Sequence, residues 1–173
     1  APPGARTGTA GFARRIARRL DEARRKDEFE RLVVVAGPPF LGLLREALSK
    51  PTQAVFFETP SNPMQSLVDI AAVTEMAHSA GAKVVLDNVF ATPILQQSFP
   101  LGVDVVVYSG TKHIDGQGRV LGGAILGDKQ YIDEPVQKLM RHTGPALSPF
   151  NAWVLLKGLE TLAVRVQHST DSA

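Results

Sequence analysis

Three polar residues with reactive side chains directly follow a short β-branched run near the middle of the chain. The run covers residues 105–107, and Ser109, Thr111 and Lys112 come just after it. Such a run predicts a buried strand, and in open α/β sheets small ligands bind just beyond the carboxyl ends of the strands. Hydroxyl groups and loop amides can hold phosphate oxygens, and a lysine amine can act as a nucleophile. The pattern therefore indicates a site for a small anionic molecule, against the ordinary alternative of a surface lysine on a polar turn.

Two earlier apolar strands also end in polar residues. Residues 83–87 end on Asp87, and residues 54–58 lead into a proline-rich loop that contains Asn62. Either motif alone is also typical of an ordinary turn. Because ligands collect at the carboxyl ends of parallel strands, we expect all three strands to deliver polar groups to one edge of the sheet.

Three segments together resemble the cysteine/methionine-metabolism family of pyridoxal-phosphate enzymes. They are residues 58–63, 85–88 and 109–119, which match the family in order and in spacing. Within the family the resemblance is strongest to the O-succinylhomoserine sulfhydrylases. It implies part of the large domain of the aspartate-aminotransferase-like fold, known as fold type I, and pyridoxal phosphate as the cofactor.

The resemblance also implies a role for each polar residue. Lys112 would hold the cofactor covalently, Asp87 would pair with its ring nitrogen, and Asn62 would hydrogen-bond its ring hydroxyl. Ser109 and Thr111 would hold its phosphate. The chemistry requires these residue types, because a carboxylate keeps the ring nitrogen protonated so that the ring can take up negative charge. The lysine amine must lose a proton, which burial and a neighbouring cationic ring favour.

The composition is that of an ordinary globular protein. The chain has 173 residues, 44% of them hydrophobic and 21% charged, and no cysteine. Disulfides and thiolate metal sites are thereby excluded, and the four histidines lack the spacing of a metal site. No apolar run approaches the roughly 20 residues that span a bilayer, so a cytoplasmic location is expected.

The first fifty residues differ from the rest in charge. They contain eleven Lys/Arg against six Asp/Glu, whereas residues 51–173 contain eight against eleven. Residues 1–10 are expected to be a disordered end, and apolar periodicity predicts a helix over about 11–29. Residues 11–48 resemble the host-attachment or release-factor-related α/β proteins of bacteria. We therefore interpret the chain as a chimera, in which a foreign helix-strand-helix segment over 11–49 precedes a pyridoxal-enzyme-like segment over 50–173.

The fold prediction is a single α/β domain built as a three-layer α/β/α sandwich. Its sheet is expected to be mostly parallel, since buried β-branched strands alternate with helices. An antiparallel last strand is the alternative, because no helix follows Lys112. The five expected strands are 32–36, 54–58, 83–87, 104–108 and 120–126.

Four helices are expected after residue 50. Ser66 and Asp69 predict a capped helix start, and Ser148 followed by proline predicts the start of a long helix that ends near residue 167. The long helix is expected to bury Trp153, Leu156, Leu159 and Ala163. The remaining helices are predicted over 93–98 and 129–141.

Two classes of function follow, with a third as a minority alternative. In the first, the chain is a recombined or designed scaffold with a partial cofactor site, from which full catalysis is not expected. In the second, it is a sulfhydrylase that makes homocysteine from O-succinylhomoserine and sulfide. In the third, the arginine-rich N-terminal helix binds nucleic acid, although a solvated helix face explains the arginines without it. The expected partner is a small-molecule cofactor at most, with a homodimer as an open alternative.

Overall fold

The protein is described by a computed structural model that covers residues 11, 14–16, 18–19, 22–23, 26, 33–35 and 53–173. The five strands are β1 (Val33–Val35), β2 (Ala54–Glu58), β3 (Lys83–Asp87), β4 (Val105–Ser109) and β5 (Gly123–Gly127). The helices are α1 (Ile70–Ser79), α2 (Thr92–Leu95), α3 (Gln137–Thr143), α4 (Pro149–Leu159) and α5 (Leu162–Asp171). Short helical turns cover Phe99–Leu101, Gly110–Ile114, Lys129–Tyr131 and Ile132–Val136.

The strands form a mostly parallel sheet in the order β1-β2-β3-β4-β5. β1 pairs parallel with β2, whereas β5 pairs antiparallel with β4. The amide of Lys83, at the start of β3, donates at 3.0 Å to the carbonyl of Gln53, just before β2. The amide of Asn88, just after β3, donates at 3.1 Å to the carbonyl of Val107 near the end of β4. The α/β prediction is confirmed, and the last strand is the antiparallel one. Its connection from β4, residues 110–122, consists of the turn Gly110–Ile114 and an irregular loop, with no helix long enough to carry a parallel crossover.

The chain divides into two compact units, of which the first contains residues 1–57 and 68–85. Helix α1 in this unit buries Ile70, Thr74 and Ala77. The prediction that it begins at Ser66 is wrong, because Asp69 is the capping residue and its carboxylate accepts from the Ala72 amide at 3.0 Å. Ser66 instead forms part of the preceding loop, where its amide donates to the Ser61 hydroxyl at 3.1 Å.

The second unit contains residues 58–67 and 86–173. Its buried apolar residues come from β3, β4, the loops before β4 and β5, and the last two helices: Leu86, Val103, Val105, Val106, Val120, Val154, Leu155, Leu162 and Val166. Ser109 is the last residue of β4 and not, as predicted, the first of the loop. The strand predicted over 120–126 begins only at Gly123, and the helix predicted over 93–98 is the shorter α2, which ends at Leu95.

The long helix predicted from Ser148 to about 167 is two helices. Its start is confirmed, since the Ser148 hydroxyl accepts from the Asn151 amide at 3.1 Å with Pro149 in the first turn, but α4 ends at Leu159. The predicted core face is wrong, because Trp153, Leu156 and Leu159 are 48–58% exposed. The opposite face, with Val154, Leu155 and Gly158, is the buried one. Both faces are apolar, and the close fit of Gly158 against a neighbouring turn decides between them.

The described residues between 11 and 23 are helical, as the arginine-rich periodicity predicts. Residues 1–10, predicted to be a disordered end, and the second helix of the predicted helix-strand-helix segment lie outside the described residues. In the described part of the chain, no helix is long and apolar enough to cross a membrane.

Candidate active site

The five predicted site residues all belong to the second unit. Asp87 and Ser109 are the last residues of the neighbouring strands β3 and β4, and Thr111 and Lys112 lie in the turn that follows β4. Asn62 lies in the loop after β2, with its side chain exposed. The structure therefore gathers Asp87, Ser109, Thr111 and Lys112 at the carboxyl end of two adjacent strands, where α/β folds bind ligands.

The lysine turn, Gly110–Ile114, holds Lys112 just past the end of β4. It begins where the Gly110 amide donates to the Gly122 carbonyl at 2.8 Å, and it closes where the Gly116 amide donates to the Lys112 carbonyl at 2.7 Å. A side chain at residue 110 would lie 3.1 Å from the Gly122 oxygen, so only glycine fits there comfortably. Lys112 itself departs from helical geometry, with φ −90° and ψ −117°.

The reactive side chains at the end of β4 and in the lysine turn are not bonded to other groups in the part of the chain that the structure describes. Lys112 is exposed, Ser109 and Thr111 are partly exposed, and none of the three forms a side-chain hydrogen bond or ion pair with a described residue. A free amine and two free hydroxyls beside one strand end can bind an anionic or carbonyl-bearing ligand.

Asp87 is a half-buried carboxylate with an unusual environment. Burial raises its pKa above the ordinary value, and the nearby Glu58 carboxylate raises it further. One hydrogen bond opposes this effect, from the Val89 amide to Oδ1 at 3.0 Å. A cationic donor placed beside Asp87 would relieve the cost of keeping it ionised, so this carboxylate is suited to a protonated ring nitrogen.

A buried hydrogen-bond network fixes the chain on either side of Asp87. The fully buried Asn88 amide donates to the Tyr108 hydroxyl at 2.9 Å and to the Gln96 carbonyl at 3.0 Å. Its oxygen accepts from the Gln96 side chain at 2.7 Å, and that side chain also donates to the Thr59 carbonyl at 3.1 Å. The network joins the segments that follow β2 and β3 to the end of β4, and sequence patterns alone do not reveal it.

Replacing Asn88 with alanine should destabilise the second unit. The Gln96 amide and the Tyr108 hydroxyl would lose a buried partner, which costs about 1 to 3 kcal/mol of unfolding free energy. Urea denaturation followed by circular dichroism measures the change. Asn62→Ala is the matched control, because that side chain is exposed and its loss should change stability by less than about 0.5 kcal/mol. Equal stability of the two variants would contradict the role assigned to the network.

Asn62 and Glu58 form a local contact that sequence reasoning missed. The backbone amide of Asn62 donates to the Glu58 carboxylate at 2.9 Å, while the Asn62 side chain forms no bond with a described residue. The contact holds a second negative charge near Asp87. Asn62 thus lies in the expected loop, but its side chain forms no hydrogen bond with a described residue.

An ion pair between a buried carboxylate and a partly exposed arginine closes the loop beyond the lysine turn. Asp115 is 1% exposed and accepts from the Arg119 amide at 2.5 Å and from its Nε at 2.8 Å. Burial alone would raise the Asp115 pKa, but the hydrogen bonds and the charge of Arg119 outweigh it and hold that pKa below its usual range. This carboxylate is therefore committed to the loop and is not available for chemistry.

A cleft of about 510 Å³ opens beside Lys112. It is lined by Lys112, His113, Gly116, Arg165, His168 and Ser169, so it shares only Lys112 with the predicted set. Sequence reasoning gave Arg165 no role, because it lies 53 positions after Lys112 on a helix with no motif of its own. Only the fold brings its guanidinium to the lysine turn.

Comparison with known proteins identifies the family. The sequence model of one protein family, the Cys/Met metabolism enzymes that depend on pyridoxal phosphate (PLP), matches residues 30–173. The chain belongs to this family. Pyridoxal phosphate is the family's cofactor. The match begins at residue 30, inside the segment interpreted as foreign, and therefore includes β1. A separate origin for residues 11–49 remains a prediction.

Individual relatives agree with the family assignment. O-succinylhomoserine sulfhydrylase from Mycobacterium tuberculosis is 90% identical over 127 residues, which are 73% of this chain and 31% of the relative. The enzyme of the same name from Pseudomonas aeruginosa is 53% identical over 138 residues, 79% of this chain and 34% of the relative. A crystal structure of cystathionine gamma-lyase from Lactobacillus plantarum matches with a TM-score of 0.67 and 33% identity over 72% of this chain and 32% of that one. The chain therefore spans about one third of the length of these relatives.

The residues at the ends of β3 and β4 fit the family's cofactor. Pyridoxal phosphate needs a lysine amine, an anionic partner for its ring nitrogen and donors for its phosphate. The structure supplies an uncommitted amine at Lys112, a carboxylate with a raised pKa at Asp87 and two uncommitted hydroxyls at Ser109 and Thr111.

Proposed function

We propose that this chain is the cofactor-capturing segment of an O-succinylhomoserine sulfhydrylase. The observation that carries the proposal is the 90% identity over 127 residues to an enzyme of that name, in a segment that includes an uncommitted Lys112. The overall reaction would exchange the succinyl group of O-succinylhomoserine for sulfide and give homocysteine. Because the chain spans about one third of its relatives, we propose this turnover for a protein that contains the segment, and cofactor capture for the segment itself.

Each site residue has a proposed task. Lys112 would bind the cofactor covalently, Asp87 would hold the proton on the ring nitrogen, and Ser109 and Thr111 would donate to the phosphate. Asn62 would reach the ring hydroxyl from its exposed loop. When bound, the cofactor supplies an electron sink for negative charge that develops on the substrate. The half-buried Asp87 carboxylate supports this arrangement, because burial and the neighbouring Glu58 raise its pKa and a cationic partner would offset that cost.

Full turnover by the 173-residue chain is not expected. Arg119 is bonded to Asp115 and Arg165 to backbone carbonyls, so in the described part of the site neither of these arginines is left to clamp a substrate carboxylate. Substrate positioning supplies a large part of the catalysis of any enzyme, which makes its loss severe. We expect no sulfide-dependent release of succinate above the rate with free cofactor. Release that disappears in Asp87→Ala would contradict this expectation.

The two alternative functions predict different binding experiments. A recombined or designed scaffold that retains the motif only as a relic would bind pyridoxal phosphate no better at Lys112 than at its other lysines. Nucleic-acid binding through the N-terminal helix would fall steeply with salt and would require Arg14, Arg15, Arg18 and Arg19. A cytoplasmic location remains part of the proposal, and a homodimer is an alternative to a monomer that sedimentation tests.

A further inference from the structure

We infer that Arg165 is a positioning residue for Lys112, an inference that rests on the proposed function. The two residues line the same cleft, although 53 positions separate them in the chain. Arg165 lies on α5, and its guanidinium reaches back to the lysine turn. It acts on the backbone that carries Lys112 and not on the amine itself.

The guanidinium binds the backbone directly after Lys112. Its Nη1 donates to the His113 carbonyl at 2.8 Å, and its Nη2 donates to the Ile114 carbonyl at 3.2 Å. These carbonyls lie at the end of a helical turn, where oxygens lack the amide donors that a longer helix would provide. Arg165 supplies the missing donors, so it fixes the path of the chain on one side of Lys112.

The same guanidinium also donates to the junction between α4 and α5. Nη2 also donates to the Gly158 carbonyl at 2.8 Å, and Nε donates to the Thr161 hydroxyl at 3.0 Å. Gly158 and Thr161 lie at the junction of α4 and α5. The planar fork of arginine can bridge the turn and the helix junction together, whereas the single ammonium of a lysine cannot reproduce this geometry.

Gly116 shows how closely the arginine approaches the turn. Its φ is +74°, and a Cβ atom there would collide with the Arg165 guanidinium. The Gly116 amide donates to the Lys112 carbonyl at 2.7 Å, so the arginine lies against the residue that closes the lysine turn. The contact leaves little freedom for the backbone of Lys112 to rotate.

The test compares Arg165→Gln with the parent chain. Both are incubated with pyridoxal phosphate and reduced with borohydride at intervals, and the pyridoxyl-modified lysines are quantified by peptide mass spectrometry. We expect the rate of capture at Lys112 to fall by about 10- to 100-fold in Arg165→Gln, the range produced by small misplacements of a reacting group. Arg165→Lys should be equally impaired, because it keeps the charge but loses the fork.

Two controls separate positioning from general destabilisation. Arg141→Gln removes an exposed arginine bonded to Gln137 at 3.2 Å on its own helix, and it should capture the cofactor at the parental rate. Leu162→Ala empties a buried position on α5 without touching the guanidinium. It should lower the melting temperature while leaving capture unchanged well below that temperature. Parental capture by Arg165→Gln, or an equal loss in Leu162→Ala, would overturn the inference.

Hydrogen exchange of the cofactor-free chain distinguishes this inference from the proposed function. Arg165→Gln should exchange faster than the parent in the peptide that contains the Gly116 amide, and Arg141→Gln should not. If the parent fails to label Lys112 while this difference is present, the proposed function fails and the positioning role stands. If the parent labels Lys112 and neither exchange nor capture changes in Arg165→Gln, only the inference fails.

Discussion

Gly158→Ala is expected to lower the unfolding free energy of the second unit by about 1 to 3 kcal/mol, the usual cost of forcing a methyl group into a packed contact. The new Cβ would collide with the Ile114 carbonyl oxygen and lie 3.1 Å from Asp115 Cα. The sign of the change in unfolding free energy distinguishes the two cases. An alanine in an unobstructed helix is roughly 1 kcal/mol more favourable than glycine, so without the contact the variant would be more stable than the parent.

Urea denaturation followed by circular dichroism measures this change. Lys157→Ala is the neighbouring control. It removes an exposed ion pair with Glu160, and this loss should change the unfolding free energy by less than about 1 kcal/mol. Since Gly158 and Arg165 both contact the lysine turn, Gly158→Ala should also slow cofactor capture at Lys112. A stabilised Gly158→Ala variant would show that α4 does not dock on the turn as described.

Asp87→Asn is expected to weaken the binding of pyridoxal phosphate by about 10- to 100-fold, because a hydrogen bond to a charged group contributes roughly 1.5 to 3 kcal/mol. Asparagine has the same shape and can still accept from the Val89 amide. The variant therefore removes the negative charge and little else. A titration that follows the visible absorbance of the bound cofactor gives the dissociation constant.

The same substitution should not destabilise the cofactor-free protein. Because burial and Glu58 raise the folded-state pKa of Asp87 above its ordinary value of 3.8, the folded chain holds this proton more tightly than the unfolded chain does. The contribution of Asp87 to stability is then fully present below pH 3.8 and is lost as the pH rises through the raised pKa. At neutral pH we expect Asp87→Asn to melt at the parental temperature or above it.

Two further variants control for charge. Glu58→Gln removes the neighbouring carboxylate and should lower the pKa of Asp87 while preserving cofactor binding. Glu134→Gln removes an exposed charge elsewhere in the unit and should change neither property. An Asp87→Asn chain that binds the cofactor as tightly as the parent, or that melts well below it, would mean that Asp87 has a structural role only.

Much of the sheet is predictable from the sequence because β-branched runs specify buried strands locally. The bounds of β2 and β3 agree with the prediction residue by residue, β1 lies within its predicted range, and β4 is shifted by one residue toward the C-terminus. The polar residues that end β3 and β4 follow from the same pattern. Their place at neighbouring strand ends requires only that consecutive strands pair.

The features that failed are those decided by distant contacts. The buried face of α4 depends on the fit of Gly158 to the turn at Ile114, about forty residues away, and hydrophobicity alone cannot choose between two apolar faces. The cap at Asp69 was misjudged because a serine three residues earlier offers an equally good local signal. Arg165 and the Asn88 network were missed because their partners come together only in the folded chain.

Mapping where pyridoxal phosphate attaches tests the proposed cofactor site directly. The parent chain is incubated with a limiting amount of cofactor, reduced with borohydride, digested and analysed by mass spectrometry, with Lys112→Ala treated in parallel. We predict that most of the pyridoxyl label is on Lys112 and that the visible absorbance band is lost in Lys112→Ala. Label spread evenly over Lys50, Lys83, Lys129, Lys138 and Lys157, or a band unchanged in Lys112→Ala, would contradict it.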